Sequence, residues 1–175
     1  IISSPCPYQP TNGASLGQKK ITCDLIIDDK TVTITGPLWV TGNIDIKNSA
    51  QVRLDSSYGS TSGVIIAGNG SSGGLITLEN SSVSSGSGSA GSYLTYVSTS
   101  SSDSAIIVKN HVVVDILYSN TGWVEIENNS SMRSVNSYGI RVKDNAELTY
   151  EIGLADAFFT SGPAAGWKVT SWEEK

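Results

Sequence analysis

The chain has 175 residues and a formal charge of −5, from 11 Lys plus Arg against 16 Asp plus Glu. That acidic balance withholds the counterion release that drives nucleic-acid binding, and no apolar run approaches the roughly 20 residues of a membrane-spanning helix. Charged residues are only 15% of the chain, while 29 Ser, 14 Thr, 11 Asn and 18 Gly imply a surface of neutral hydroxyls, amides and backbone.

Residues 1–20 contain Pro5, Pro7 and Pro10 and read as an irregular lead-in. There is no basic, apolar-cored leader, and an opening at Ile1-Ile2-Ser3 without an initiator Met reads as that of a processed or excised segment. Cys6 and Cys23 have no His or Cys cluster around them, so they are no zinc site. They are either a disulfide or two free thiols. The neutral, hydroxyl-rich surface points to an extracytoplasmic protein, where a disulfide would persist and would tie the lead-in to the first coil of the repeat identified below.

Helical periodicity is nearly absent; the best stretch, Gly153 to Phe159, is too short to matter. Alternation prevails instead. Thr31-Val32-Thr33-Ile34-Thr35, Asn43-Ile44-Asp45-Ile46-Lys47 and Gln51-Val52-Arg53-Leu54 are short strands bounded by Gly, Asn and Ser. Val64 to Ala67 and Tyr93 to Val97 are further, less regular strands. Between them, Ser81 to Ser92 is of low complexity and reads as a flexible loop or a Ser-rich outer turn.

An internal repeat decides the architecture. Five segments align on one residue: Asn48, Asn80, Asn110, Asn128 and Asp144. Two and four places before each anchor stands Ile, Leu or Val, and the residue just before it is Lys or Glu. The anchors lie 32, 30, 18 and 16 residues apart. The two shorter intervals fit one turn of a β-solenoid, and the two longer fit either one turn with a long loop or two turns. Asn suits such a bend because it tolerates the left-handed region and can pair with the Asn above and below. A β-sandwich would also alternate, but it supplies no reason for a fixed anchor.

The predicted fold is therefore all-β, a right-handed parallel β-helix with Ile46, Leu78, Val108, Ile126 and Val142 stacked inside. The handedness rests on the crossover rule for parallel strands. The predicted division is a lead-in and cap over 1–30, coils over 31–155 and a C-terminal cap over 156–175. In that cap Phe158, Phe159, Trp167 and Trp172 concentrate apolar surface. Lys47, Glu79, Lys109, Glu127 and Lys143 would form an alternating charge ladder if the anchors stack directly.

Candidate chemistry is thin. His111 is the only histidine and has no partner at a recognisable spacing, so it reads as a surface turn residue. Asp24, Asp28, Asp29, Asp45 and Asp55 are the carboxylates that a polysaccharide-cutting or calcium-binding β-helix would need to gather; Asp28-Asp29-Lys30 reads more simply as a polar turn. Gly68-Asn69-Gly70 lacks the Lys-Ser/Thr of a phosphate loop. Thr31, Thr33 and Thr35 share one strand face, but no other segment continues the array. Tyr58, Tyr93, Tyr96, Tyr118, Tyr138, Trp39 and Trp123 suit either packing or sugar stacking, with packing favoured for Trp39 and Trp123, which lie in or beside strands. No catalytic residue, metal ligand or cofactor is expected.

Gly36-Pro37-Leu38-Trp39-Val40-Thr41-Gly42-Asn43-Ile44, Ser62-Gly63-Val64-Ile65-Ile66-Ala67, Gly91-Ser92-Tyr93-Leu94 and the ending Ser161-Gly162-Pro163-Ala164-Ala165-Gly166-Trp167-Lys168-Val169-Thr170-Ser171-Trp172 resemble PilX-like pilus-assembly proteins of the minor-pilin type. The resemblance spans nearly the whole chain. It implies an extracellular or cell-surface module whose partners are other pilus or surface subunits, anchored by an upstream apolar helix that these residues lack. It carries no catalytic residue over. The expected function is a non-catalytic structural or adhesive module. The alternatives are a carbohydrate-binding or carbohydrate-active β-helix, with a surface glycan as partner, and a scaffold that stacks end to end.

Overall fold

The computed structural model describes residues 1–70 and 73–148. They form a parallel β-helix of fifteen strands, with one 3-10 turn at Ser56–Tyr58. Each coil has three faces. The first face stacks β1 (Ala14–Leu16), β4 (Thr31–Ile34), β7 (Gln51–Leu54) and β10 (Val83–Ser85). The second stacks β2 (Lys19–Ile21), β5 (Leu38–Val40), β8 (Gly63–Ala67) and β11 (Leu94–Ser98). The third stacks β3 (Leu25–Asp28), β6 (Ile44–Lys47), β9 (Ile76–Glu79) and β12 (Ile106–Lys109). In the next two coils the corners smooth out, so that β13 (Val113–Ile126) and β14 (Ser131–Val142) each run through all three faces. β15 (Glu147–Leu148) begins another turn on the first face. All of these pairings are parallel, and the sheet does not close on itself.

Register follows the alternation of apolar residues. Ile46 pairs with Leu78, Leu78 with Val108, Val108 with Ile126 and Ile126 with Val142, the column expected from the repeat. Ile46, Leu78, Val108 and Ile126 are at most 1% exposed. Each such side chain contributes roughly 1.5–3 kcal/mol by leaving water. Val142 and Ile140, on the last described coil of this face, are exposed.

The long anchor intervals are single coils with loops, not pairs of coils. Both coils carry their extra residues at the same corners: 55–62 and 86–93 between the first and second faces, and 68–70 with 73–75, and 99–105, between the second and third. The loops stack on one another as the strands do. Ser92 Oγ donates to the Thr61 carbonyl at 2.7 Å, and the Gly70 N–H donates to Thr99 Oγ1 at 3.4 Å.

Two features differ from expectation. The coils start inside the span read as a lead-in, because β1, β2 and β3 already make a complete turn paired to the next coil. Its bend is one residue shorter than the others, so it escapes alignment on the anchor. Before it, Ile2 and Tyr8 make isolated parallel bridges to Ile21 and Leu25. Cys6 and Cys23 are disulfide-bonded and fasten that leading segment to the first coil. The proposed C-terminal cap, 156–175, lies outside the described residues.

The Ser-rich stretch is also not simply a loop. Val83–Ser85 is a strand, and Ser82 and Ser84 are each 1% exposed. Ser84 takes the inward slot that Val52 and Val114 fill in register, leaving a gap. Tyr96, in the inward column between Ile65 and Leu117, fills it, and its hydroxyl lies 2.8 Å from Ser84 Oγ. The exchange keeps the core dense and both hydroxyls satisfied.

Candidate functional site

The anchor bends form one continuous polar feature. Each bend places two successive residues in the left-handed region, among them Asn48 and Ser49, Asn80 and Ser81, Asn110 and His111, and Asn128 and Asn129. Asn takes the first of these places because its short amide lowers the local cost. The amides then form a chain of hydrogen bonds between coils. Asn128 Nδ2 donates to Asn110 Oδ1 (2.7 Å), Asn110 to Asn80 (2.9 Å), Asn80 to Asn48 (3.2 Å) and Asn48 to Asp28 Oδ1 (2.8 Å). Every link runs in one direction, and Asp28, which only accepts when ionised, closes it correctly. At the other end Asp144 stacks on Asn128 but, as a carboxylate, has no N–H to offer. Asp28, Asp29 and His111 line a shallow groove of about 650 Å³ along these bends, with the amides and Ser49 and Ser81 as its floor.

The carboxylates named from sequence do not converge. Asp24 Oδ1 accepts from the Asn43 N–H at 2.7 Å, holding a corner. Asp55 accepts from the Ser57 N–H at 3.0 Å and caps the 3-10 turn, and the Ser57 hydrogen bonds hold its carboxyl below the usual range. Asp45 pairs with Lys47 of its own strand at 2.7 Å. Among the described residues no three His, Cys, Asp or Glu side chains are grouped to hold a metal ion. The charge ladder is realised only in places. Lys109 meets Glu79 of the preceding coil at 3.1 Å, but Lys47 turns to Asp45, and Lys143 reaches diagonally to Glu125 at 2.7 Å.

The aromatics divide by face. Tyr96, Tyr93 and Tyr58 pack in or against the core. Trp39 instead faces outward and is 40% exposed; its Nε1 donates to the Gly68 carbonyl at 2.8 Å, and Lys20 Nζ lies 4.0 Å from its ring centre. Tyr118 faces outward on the same register line and is partly exposed.

Two clusters escaped the sequence reading. The first is an ion pair between a buried carboxylate and a half-exposed arginine. Asp115 is 6% exposed; its Oδ2 accepts from the Leu94 N–H at 3.0 Å and its Oδ1 from Arg133 Nε at 3.1 Å. Burial raises its carboxyl above the usual range, against the pull of the Leu94 N–H and Arg133.

The second cluster lies on the outer third face of β13 and β14. Trp123 pairs in register with Gly139, where any side chain would strike the indole. Tyr138 meets Trp123 edge to face, with ring centres 6.5 Å apart. Arg141 lies 4.6 Å from the indole centre, 3.5 Å from Glu125, and donates to the Asp103 carbonyl at 3.1 Å. Hydrogen bonding from Lys143 holds the Glu125 carboxyl low, and hydrogen bonding to Glu125 holds the Glu127 carboxyl high. The sequence named Trp123 and Tyr138 singly as packing or stacking rings; what it did not show was their grouping with Arg141 and Asp103, for which the one hint was a glycine after Tyr138 in a strand otherwise bearing side chains.

No protein-family model, curated protein or solved structure matches this chain.

Proposed function

We propose that this chain is a non-catalytic structural or adhesive module, the exposed part of a pilus-associated, minor-pilin-like surface protein. The observation that carries the reading is how the polar groups are used. The Asn amides pair along the bends, and Asp24, Asp28, Asp45 and Asp55 each hold a corner, a ladder end, a lysine or a cap. General acid–base chemistry instead needs ionisable groups kept free at a fixed separation. The disulfide supports a non-cytoplasmic setting, where such bonds persist. Among the described residues no helix is long and apolar enough to cross a membrane.

Immunogold labelling of whole and thin-sectioned source cells tests the placement; label on surface filaments is expected, and label confined to the cytoplasm of the sections refutes it. Incubation with a polysaccharide panel tests the chemistry. New reducing ends, lost on changing Asp28, Asp29 or Asp45, would replace this reading with a carbohydrate-active one.

A further inference from the structure

We infer that the outer third face of β13 and β14 is a binding site for a neutral hexopyranose glycan, built from Tyr138, Arg141 and Asp103 and backed by Trp123. This gives the module proposed above a ligand class, and rests on that reading only in expecting binding without turnover.

Tyr138 is 75% exposed, the most exposed aromatic among the described residues. An aromatic left in water usually lacks a fixed position. This one is backed by an edge-to-face contact with Trp123, ring centres 6.5 Å apart. Trp123 has its place because Gly139 leaves room for its indole across the neighbouring strand; a Cβ at Gly139 would lie 2.4 Å from the ring. A flat apolar ring, backed by an indole and set beside polar groups, suits the C–H face of a sugar.

The polar groups beside it are themselves paired. Arg141 reaches from β14 across the indole to the loop before β12, where it donates to the Asp103 carbonyl at 3.1 Å. The Asp103 carboxylate lies 3.9 Å from the guanidinium and its side chain is 76% exposed. A planar donor next to an exposed acceptor matches adjacent sugar hydroxyls, each of which both donates and accepts.

Charge selects the ligand class. Arg141 is balanced by Asp103 and Glu125, so its charge is not left over to attract a uronate, a phosphate or a nucleic acid. The chain's net charge of −5 opposes such anions further. What remains favourable is an uncharged ligand with an apolar face and a hydroxyl edge.

The test is calorimetric titration of the intact chain with cellohexaose, maltohexaose and chitohexaose, with hexagalacturonate as the charged arm. At least one neutral hexasaccharide should bind and hexagalacturonate should not. Tyr138→Ala should weaken binding about tenfold or more, the loss of one stacking platform. Asp103→Asn, at an exposed loop, keeps the fold and should weaken binding too. Thermal midpoints of both variants within a few degrees of the parent establish that they fold. The inference is overturned if no neutral hexasaccharide binds, if only hexagalacturonate binds, or if Tyr138→Ala binds as the parent does. Release of reducing ends by the parent would refute the non-catalytic reading and leave the binding site standing.

Discussion

Asn110 stands in the middle of the amide ladder, accepting from Asn128 at 2.7 Å and donating to Asn80 at 2.9 Å, at φ 64°. Asn110→Ala removes both bonds, at about 1 kcal/mol each for partly buried pairs, and places an ordinary side chain in the left-handed region for about 1 kcal/mol more. The expected loss is about 3 kcal/mol, read as a lowered urea midpoint at unchanged slope. Asn110→Asp separates the contributions. It keeps the tolerance for positive φ and the bond from Asn128, but an ionised carboxylate cannot donate to Asn80 Oδ1. The new carboxyl should therefore titrate above its unfolded value in the folded state. Its destabilisation, about 1–2 kcal/mol at pH 7, should shrink as pH falls through that folded value, because the protonated form donates again. Measuring parent and variant in parallel at pH 3 and 7 removes the background. A loss below about 1 kcal/mol for the alanine variant, or an aspartate effect that ignores pH, would refute the ladder as a source of stability.

At the far end, Asp144→Asn supplies the N–H that Asn128 Oδ1 lacks. It should raise stability by about 0.5–1.5 kcal/mol, and no change in urea midpoint would show that the ladder ends before that coil. Reducing the Cys6–Cys23 bridge, with its separation of 17 residues, should cost about 3 kcal/mol. A thermal midpoint indifferent to reductant contradicts that. Burial holds the Tyr96 phenol far above its ordinary range, against the Ser84 hydrogen bond. Above about pH 10 the unfolded chain ionises there and the folded chain does not, so stability should fall by up to about 1.4 kcal/mol per pH unit. Tyr96→Phe should flatten that alkaline slope while lowering stability at pH 7, because Ser84 loses its partner; an unchanged slope would count against the buried phenol.

The repeat was legible because a solenoid writes its period into the chain. The inward column from Ile46 to Ile126 and the five anchors could be read from spacing alone, since each coil must present the same side to its neighbour; Val142 keeps the register but is exposed on the last described coil of its face. The first coil was not legible, because Asp28-Asp29-Lys30 is a bend shortened by one residue and offers no Asn to align. The loops of the third and fourth coils also hid from spacing, since extra length at a corner looks the same as an extra coil. Strand pairing such as Ile46 with Leu78, and Asn80 donating to Asn48 across 32 residues, show the coils to be adjacent. The Ser84–Tyr96 exchange breaks the apolar pattern at one place and repairs it at another. The Tyr138 cluster joins side chains up to 38 residues apart on three coils, and strand alternation says nothing about which outward residues lean together.

Unequal coil lengths have a consequence when the two ends are pulled apart. Tension along the axis loads the hydrogen bonds between coils one strip at a time, so the rod yields by unspooling, not by stretching. A released coil trades a rise of about 4.8 Å for its whole contour at about 3.4 Å per residue. With anchors 16, 18, 30 and 32 residues apart, the gains range from roughly 50 Å to roughly 100 Å per coil. The loops at the corners thus act as stored slack, concentrated in the middle of the rod. The bridge at Cys23 withholds the leading turn from this release. A chain built in this way would lengthen in steps under load while keeping its remaining coils in register.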